Sequence, residues 1–327
     1  MTGAHISRQL GQPTVPPETT RHFVEAMRLL RRELSTNPQP LDSSVAVIIS
    51  LAIHATLTGA VDETRVHLRG LDHIVRLRPG GLPALHKATP EVVNKIRRAD
   101  LHLALMAGTP TIFGAQASPL PATLHVVPLD RKRLNDPLPH PLGETSPVLR
   151  AAARDVLALC SYAGSSRLGA YQYQDLIISI FQRLVDYAPL VGPRPPRLLD
   201  DVCQLGLLAF MSTVVYRDGP KTTSCPALLS EALWTRIGRF NNDMVSSQGR
   251  GNSSLCLWLI FVYAVSMSKD EECCNAGSSV ARHIHALADT LTLRTWDDVT
   301  ASLSVYPWIS AFHDKLGRKL WESATCI

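Results

Sequence analysis

Twelve histidines and seven cysteines make metal binding the first chemistry to weigh in this chain. The pairs to consider are His283 with His285 and His67 with His73, together with the adjacent Cys273 and Cys274. Side chains two apart on a helix point to different faces, and neighbouring cysteines are poor geometry for one tetrahedral ion. No metal ligand is assigned. The run Gly164-Ser-Ser-Arg-Leu-Gly169 has glycines but lacks the Lys-Ser/Thr pair that places a phosphate and a magnesium ion. No serine stands in a nucleophile elbow and no His-Glu-x-x-His occurs. Asp100 is a carboxylate inside an apolar helical pattern, beside Ile96 and Val93. As a catalytic acid it lacks a converging titratable partner, so it reads as a structural group that must find an arginine or backbone donors to offset desolvation. No catalytic or cofactor-binding residue is assigned, and the expectation is a protein that is not an enzyme. Arg131-Lys-Arg133 is shorter than the ~5–8 basic residues of a persuasive localisation or nucleic-acid patch, and reads as solvated loop. Asn252-Ser-Ser254 fits a glycosylation acceptor without a secretory route to use it.

The elements that hold these residues read as helices. Apolar residues are 45% of the chain and charged residues 19%, enough to build a core and too apolar for a disordered chain. The net charge of +5 is spread thinly, which permits an acidic partner without demanding one. The cysteines show no framework spacing and most sit in apolar runs, as expected of a reduced intracellular compartment. The N-terminus lacks the apolar stretch of a secretory signal. The runs Val45–Leu57, Leu205–Tyr216 and Leu255–Met267 fall short of the ~18 residues of a membrane span, so buried helices and no membrane contact are expected.

Residues 1–18 read as a disordered arm, followed by a basic amphipathic helix with Phe23, Met27 and Leu30 on one face. Asp42 or Ser43 caps a helix running to Gly59, and a second starts near Asp62 and closes at Pro79-Gly80-Gly81, making an antiparallel hairpin. Thr89-Pro90-Glu91 is a strong helix start. That helix stops near Gly108-Thr-Pro110. Residues 115–147, with seven prolines, form a long irregular connector, and a second proline-rich break spans Pro189 to Pro196. Helical periodicity resumes at Val148–Leu159, Tyr173–Val185, 198–216, 228–240, 254–268 and 278–291. The expected fold is all-α, an antiparallel multi-helix bundle or irregular helical array around one extended core, open to division into two lobes at the connector.

The last thirty residues are the least generic part of the chain. Three of its five tryptophans, Trp296, Trp308 and Trp321, stand here around two amphipathic segments, and residues of that size anchor packing. This tail, Thr295-Trp-Asp-Asp through Gly317-Arg-Lys-Leu-Trp-Glu322, resembles the closing signature of the fungal-specific transcription factor domain. A second block extends the resemblance: Leu51-Ala-Ile-His-Ala55, His67-Leu-Arg-Gly70-Leu71, Leu77-Arg-Pro-Gly80-Gly81-Leu82, Lys95-Ile-Arg-Arg-Ala-Asp100 and Gly108-Thr-Pro110-Thr-Ile-Phe113. Between the blocks, Leu257-Trp258-Leu-Ile-Phe261 is similar to the family's Trp-containing apolar helix. The chain departs from the family pattern at Arg98-Ala99, where an aromatic often precedes the aspartate, and at Pro307, where an apolar residue usually stands.

The resemblance assigns residues 19–327 to one helical regulatory domain. It gives structural signature roles to Gly70, Gly80, Gly81, Asp100, Gly108, Pro110, Trp258, Trp296, Trp308, Gly317 and Trp321. It implies a nuclear regulatory or interaction protein that pairs with a protein partner or itself, with a small-molecule effector as one input. Family members commonly carry an N-terminal six-cysteine zinc cluster that reads the major groove. Here the first cysteine is Cys160, so no sequence-specific DNA binding by this chain alone is expected. The competing reading is a helical small-molecule carrier or enzyme that reuses the scaffold.

Overall fold

The computed structural model describes residues 17–36, 42–114, 137–162, 169–215, 226–246, 250–267 and 279–325. Thirteen α-helices and one 3-10 turn account for the regular structure of these residues, with no strand among them. The protein is all-α. The helices gather into two compact units, one built from residues 1–107 and 111–119 and the other from 108–110 and 120–327. The arm expected over residues 1–18 lies almost wholly outside the described residues, except that the first helix already starts at Pro17. Arg131-Lys-Arg133 and Cys225, Cys273, Cys274 and Cys326 also lie outside them.

The first unit holds α1 (Pro17–Thr36), α2 (Asp42–Leu57), α3 (Val61–Leu77), α4 (Gly81–Ala88) and α5 (Pro90–Ala107). The hairpin of α2 and α3 turns through Gly59, whose φ of 74° is a left-handed conformation that favours glycine. The Ala60 amide donates to the Ala55 carbonyl (2.9 Å) and the Gly59 amide to Thr56 (3.1 Å), the paired bonds of a Schellman stop. At the hairpin's open end Arg78 donates to the Asp42 carboxylate at 2.5 Å, tying the last turn of one helix to the first of the other. Val45, Leu51, Leu68, Leu71, Val75, Val93, Ile96 and Phe113 form the core of this unit.

Helix α4 departs from the sequence reading, which treats Gly80-Gly81 as a corner leading straight to Thr89-Pro90. Pro83 falls in the first turn of α4, where a missing N–H costs nothing, and Leu82 and Leu85 turn one face into the core.

The second unit holds α6 (Pro147–Tyr162), α7 (Ala170–Tyr187), α8 (Leu198–Val215), α9 (Ala227–Ser246), α10 (Arg250–Met267), α11 (Ser279–Leu291), α12 (Trp296–Leu303) and α13 (Ser310–Thr325). Helices α8 and α10 are apolar around most of their circumference and form its centre. Against them pack α6, α7 and α9 on α8, and α9, α11, α12 and α13 on α10. Helix α8 corrects one expectation: it is a described helix long and apolar enough to cross a bilayer by length and composition, although 78% of it is buried in the protein. The apolar run in the sequence starts only at Leu205, because Gln204 and the Asp200-Asp201 pair interrupt the earlier turns of the helix. The end of the proline-rich connector is packed too. Leu142 and Thr145, beside the 3-10 turn Leu142–Glu144, are fully buried.

Candidate functional site

In the first unit the sequence pointed to Asp100 and the exit that follows it. The aspartate lies on α5, is 1% exposed, and needs acceptors' partners to survive there. The chain supplies them by doubling back after α5. The amide of Ile112 donates to Asp100 Oδ1 (2.9 Å) and that of Phe113 to Oδ2 (2.8 Å). The carboxylate thus fixes the path of residues 111–113 and delivers the fully buried Phe113 ring to the core. With a backbone donor on each oxygen in a closed interior, the carboxylate holds this backbone in place.

The other signature glycines of this unit divide. Gly80 (φ 75°) and Gly81 (φ 53°) occupy left-handed backbone at the α3–α4 corner, and a Cβ on Gly80 would lie 2.7 Å from that of Ala84. Gly70, by contrast, sits exposed on α3 with nothing within 4 Å of where a Cβ would stand. His102 on α5 is largely buried, and desolvation depresses its pKa below the ordinary histidine value. It lines a cavity with Thr56, Thr64, Leu103 and Met106 of about 10 Å³, room for a single water. Neither feature builds the deep pocket that the small-molecule reading calls for.

Gly108 and Pro110 fall in the second unit. Gly108 adopts φ 69°, its carbonyl accepts from the Val191 amide at 2.8 Å, and a Cβ there would lie 2.4 Å from Val191 Cγ2. The closeness of this contact is what demands glycine. Pro110 is exposed.

The aromatic tail closes over α10 and α8. Helix α12 starts at Thr295, whose hydroxyl accepts from the Asp298 amide (3.2 Å) while the Asp298 carboxylate accepts from the Thr295 amide (2.8 Å), a reciprocal cap. Backbone donors from Arg294 and Thr295 hold the Asp298 carboxyl below its usual range. Trp258, fully buried on α10, donates its indole N–H to the Pro307 carbonyl at 2.8 Å and stacks on Tyr306 at 5.6 Å. The departure at Pro307 therefore keeps a function for its carbonyl, which no side chain need supply. Trp308 donates to Asp314 (2.8 Å) and meets Phe261 edge-on at 6.2 Å. Gly317 on α13 leaves room for two of these rings: its Cβ would lie 2.8 Å from Trp296 and 3.2 Å from Trp308. Trp321 is buried and Trp296 half-buried.

His313 completes this corner. Its Nδ1 accepts from the Ile309 amide (3.1 Å), so the ring proton sits on Nε2, which faces Thr213 Oγ1 at 2.9 Å. The Thr213 hydroxyl in turn donates to the Phe210 carbonyl at 2.6 Å, joining α13 to α8.

Sequence reasoning missed a buried ionic clamp in the same unit. Asp201 on α8, 4% exposed in its side chain, receives Arg194 through two nitrogens (2.9 and 2.6 Å) and Arg236 of α9 through Nε. Arg194 also reaches the carbonyls of Ala188 (2.7 Å) and Pro189 (3.0 Å), and Gln204 donates to Leu184 and Ala188, both at 2.7 Å. The clamp closes the end of α7 and seats the Pro189–Pro196 break on α8. Its only sequence signal was a carboxylate pair opening an apolar helix.

The remaining chemistry-bearing residues do not converge. His283 Nδ1 donates to the Ser279 carbonyl at 2.6 Å and the ring lies against Trp234, whereas His285 is exposed near Asp289. His67 and His73 do not join them, and among the described residues no group of three or more His, Cys, Asp or Glu side chains is placed to hold a metal ion. Burial pushes the Cys160 and Cys256 thiols up to about 12 and that of Cys203 still higher, so these behave as small hydrophobes.

No curated protein and no solved structure matches the chain. A family model does, over residues 1–99, which reach from before α1 to within one residue of Asp100 and exclude the aromatic tail. The family to which the motifs of the first block pointed is thus the one that residues 1–99 match, the fungal specific transcription factor domain.

Proposed function

We propose that this chain is a helical regulatory and interaction module of the fungal transcription factor type, working in the nucleus through a protein partner or a second copy of itself and open to a small-molecule effector. The observation that carries the reading is the family match over residues 1–99, whose described part is α1 to α4 and most of α5. The buried groups support it. Asp100, His313 and the Asp201 clamp are engaged in holding backbone and helices together, the work of a scaffold that presents surfaces. We propose no catalytic step.

The test is to tether the chain to a heterologous DNA-binding module upstream of a reporter. Transcription should change relative to the DNA-binding module alone. An unchanged reporter, with the fusion present at normal abundance in the nucleus, overturns the reading. The untethered chain should not shift one DNA sequence over another at physiological salt, and a selective, salt-sensitive shift would contradict this.

A further inference from the structure

Helix α1 carries a face that the described residues of its own unit do not cover. Of its apolar residues Leu30 is buried at 9% exposure and belongs to the core, whereas Val24 (60%), Met27 (37%) and Leu34 (41%) stand in solvent on one side and Leu29 (50%) on the opposite side. With Arg31 the three on one side recur at 24, 27, 31 and 34, the three-four spacing of a coiled-coil seam. In that register Arg31 takes a seam position and Arg21 and Arg28 take the flanking edge, all exposed, with Arg28 held only by the exposed Glu25 one turn earlier.

The charges decide what fits. A second copy packed parallel would set Arg31 against Arg31, and an antiparallel copy would bring the Arg21/Arg28 edges together, which like-charge repulsion opposes. An interfacial membrane helix buries a wide apolar face, but here the strip is narrow and Leu30 beside it is already committed to the core. What complements the strip is a helix with apolar residues along its seam and carboxylates opposite Arg31 and along the adjoining edge.

We propose that the exposed face of α1 docks an acidic amphipathic helix of a partner protein. This rests on the interaction role proposed above and names the chemistry of the partner.

Fluorescence anisotropy on the intact chain tests it with a labelled peptide of about three heptads, Leu at seam positions and Glu at the flanks. The control peptide carries Lys at the flanks, and vesicles of phosphatidylcholine and phosphatidylserine form a third arm. The Glu peptide should bind at least about tenfold more tightly than the Lys peptide. Val24→Asp with Leu34→Asp should abolish binding, and the combined Arg21→Glu, Arg28→Glu, Arg31→Glu variant should invert the peptide preference. All these positions are exposed, so the circular dichroism should not change. Equal binding of both peptides, insensitivity to the charge reversal, or binding to the vesicles and not to the Glu peptide overturns the proposal. The tethered reporter reads the regulatory role without this peptide, so the two can fail separately.

Discussion

The two units solve the same problem, a polar group inside an all-helical core, at different scales. In the first unit the Asp100 carboxylate accepts from two backbone amides only twelve and thirteen residues away. In the second, Asp201 is satisfied by two arginines, seven residues before it and thirty-five after it, and the network also closes carbonyls at the end of α7. The difference follows from the helices. The first unit is built largely from amphipathic helices in a short-range hairpin, whereas α8 and α10 are apolar on nearly every side and must be surrounded. Surrounding them takes many elements, and long-range polar bonds register those elements where greasy surfaces alone would slide.

Removing the acid from the clamp is the severest way to break that comparison. Asp201→Ala leaves Arg194 and Arg236 mostly buried without a counter-charge and should destabilise the second unit by about 3–5 kcal/mol. All five tryptophans lie in this unit, so denaturation followed by tryptophan emission reads it selectively. An unmoved midpoint would show that the clamp does not register the helices. Asp100→Ala strands the amides of Ile112 and Phe113 and should cost about 2–3 kcal/mol. Its local signature is faster hydrogen exchange at Ile112 and Phe113. Protection unchanged at those two amides would mean that the turn is held by something other than the carboxylate.

These two acids also mark what could be seen in advance. The all-α class follows from periodicity, and Asp100's need for donors follows from its place beside Ile96 on an apolar helix. The clamp could not be read, because nothing local to Asp201 distinguishes a buried ion pair from the ordinary acids of a helix's first turn. Helix α4 was hidden for the opposite reason: Gly80, Gly81 and Pro83 signal a break, yet all three fall where a helix start tolerates them. The aromatic corner was legible as a cluster but not as a geometry. Spacing gives no hint that the Pro307 carbonyl receives Trp258 or that Gly317 exists to seat two rings.

Glycines sharpen the same contrast, since one substitution should act in opposite directions in the two units. Gly206, in the middle of α8, sits where a Cβ would lie 2.4 Å from Leu259 and 2.9 Å from the Trp258 ring of α10. Gly206→Ala should therefore force the two central helices apart and cost about 1–3 kcal/mol, with a shift in tryptophan emission. Sequence reading passed over this residue because a glycine inside an apolar run looks only like a weak helix former.

Gly70 is the converse, a residue singled out by resemblance that meets nothing. It lies in the interior of α3, exposed, with open space around its missing Cβ. The backbone there is helical, so alanine adopts it without strain and removes conformational freedom from the unfolded chain. Gly70→Ala should stabilise the first unit by about 0.5–1 kcal/mol. Thermal unfolding followed by far-ultraviolet circular dichroism would show a small rise in the midpoint, while tryptophan emission would stay silent on the first unit. A fall in the midpoint would mean that Gly70 is needed for packing after all. A rise accompanied by loss of reporter regulation in the tethered chain would place its value in a surface that must stay flat for a partner, and not in the fold.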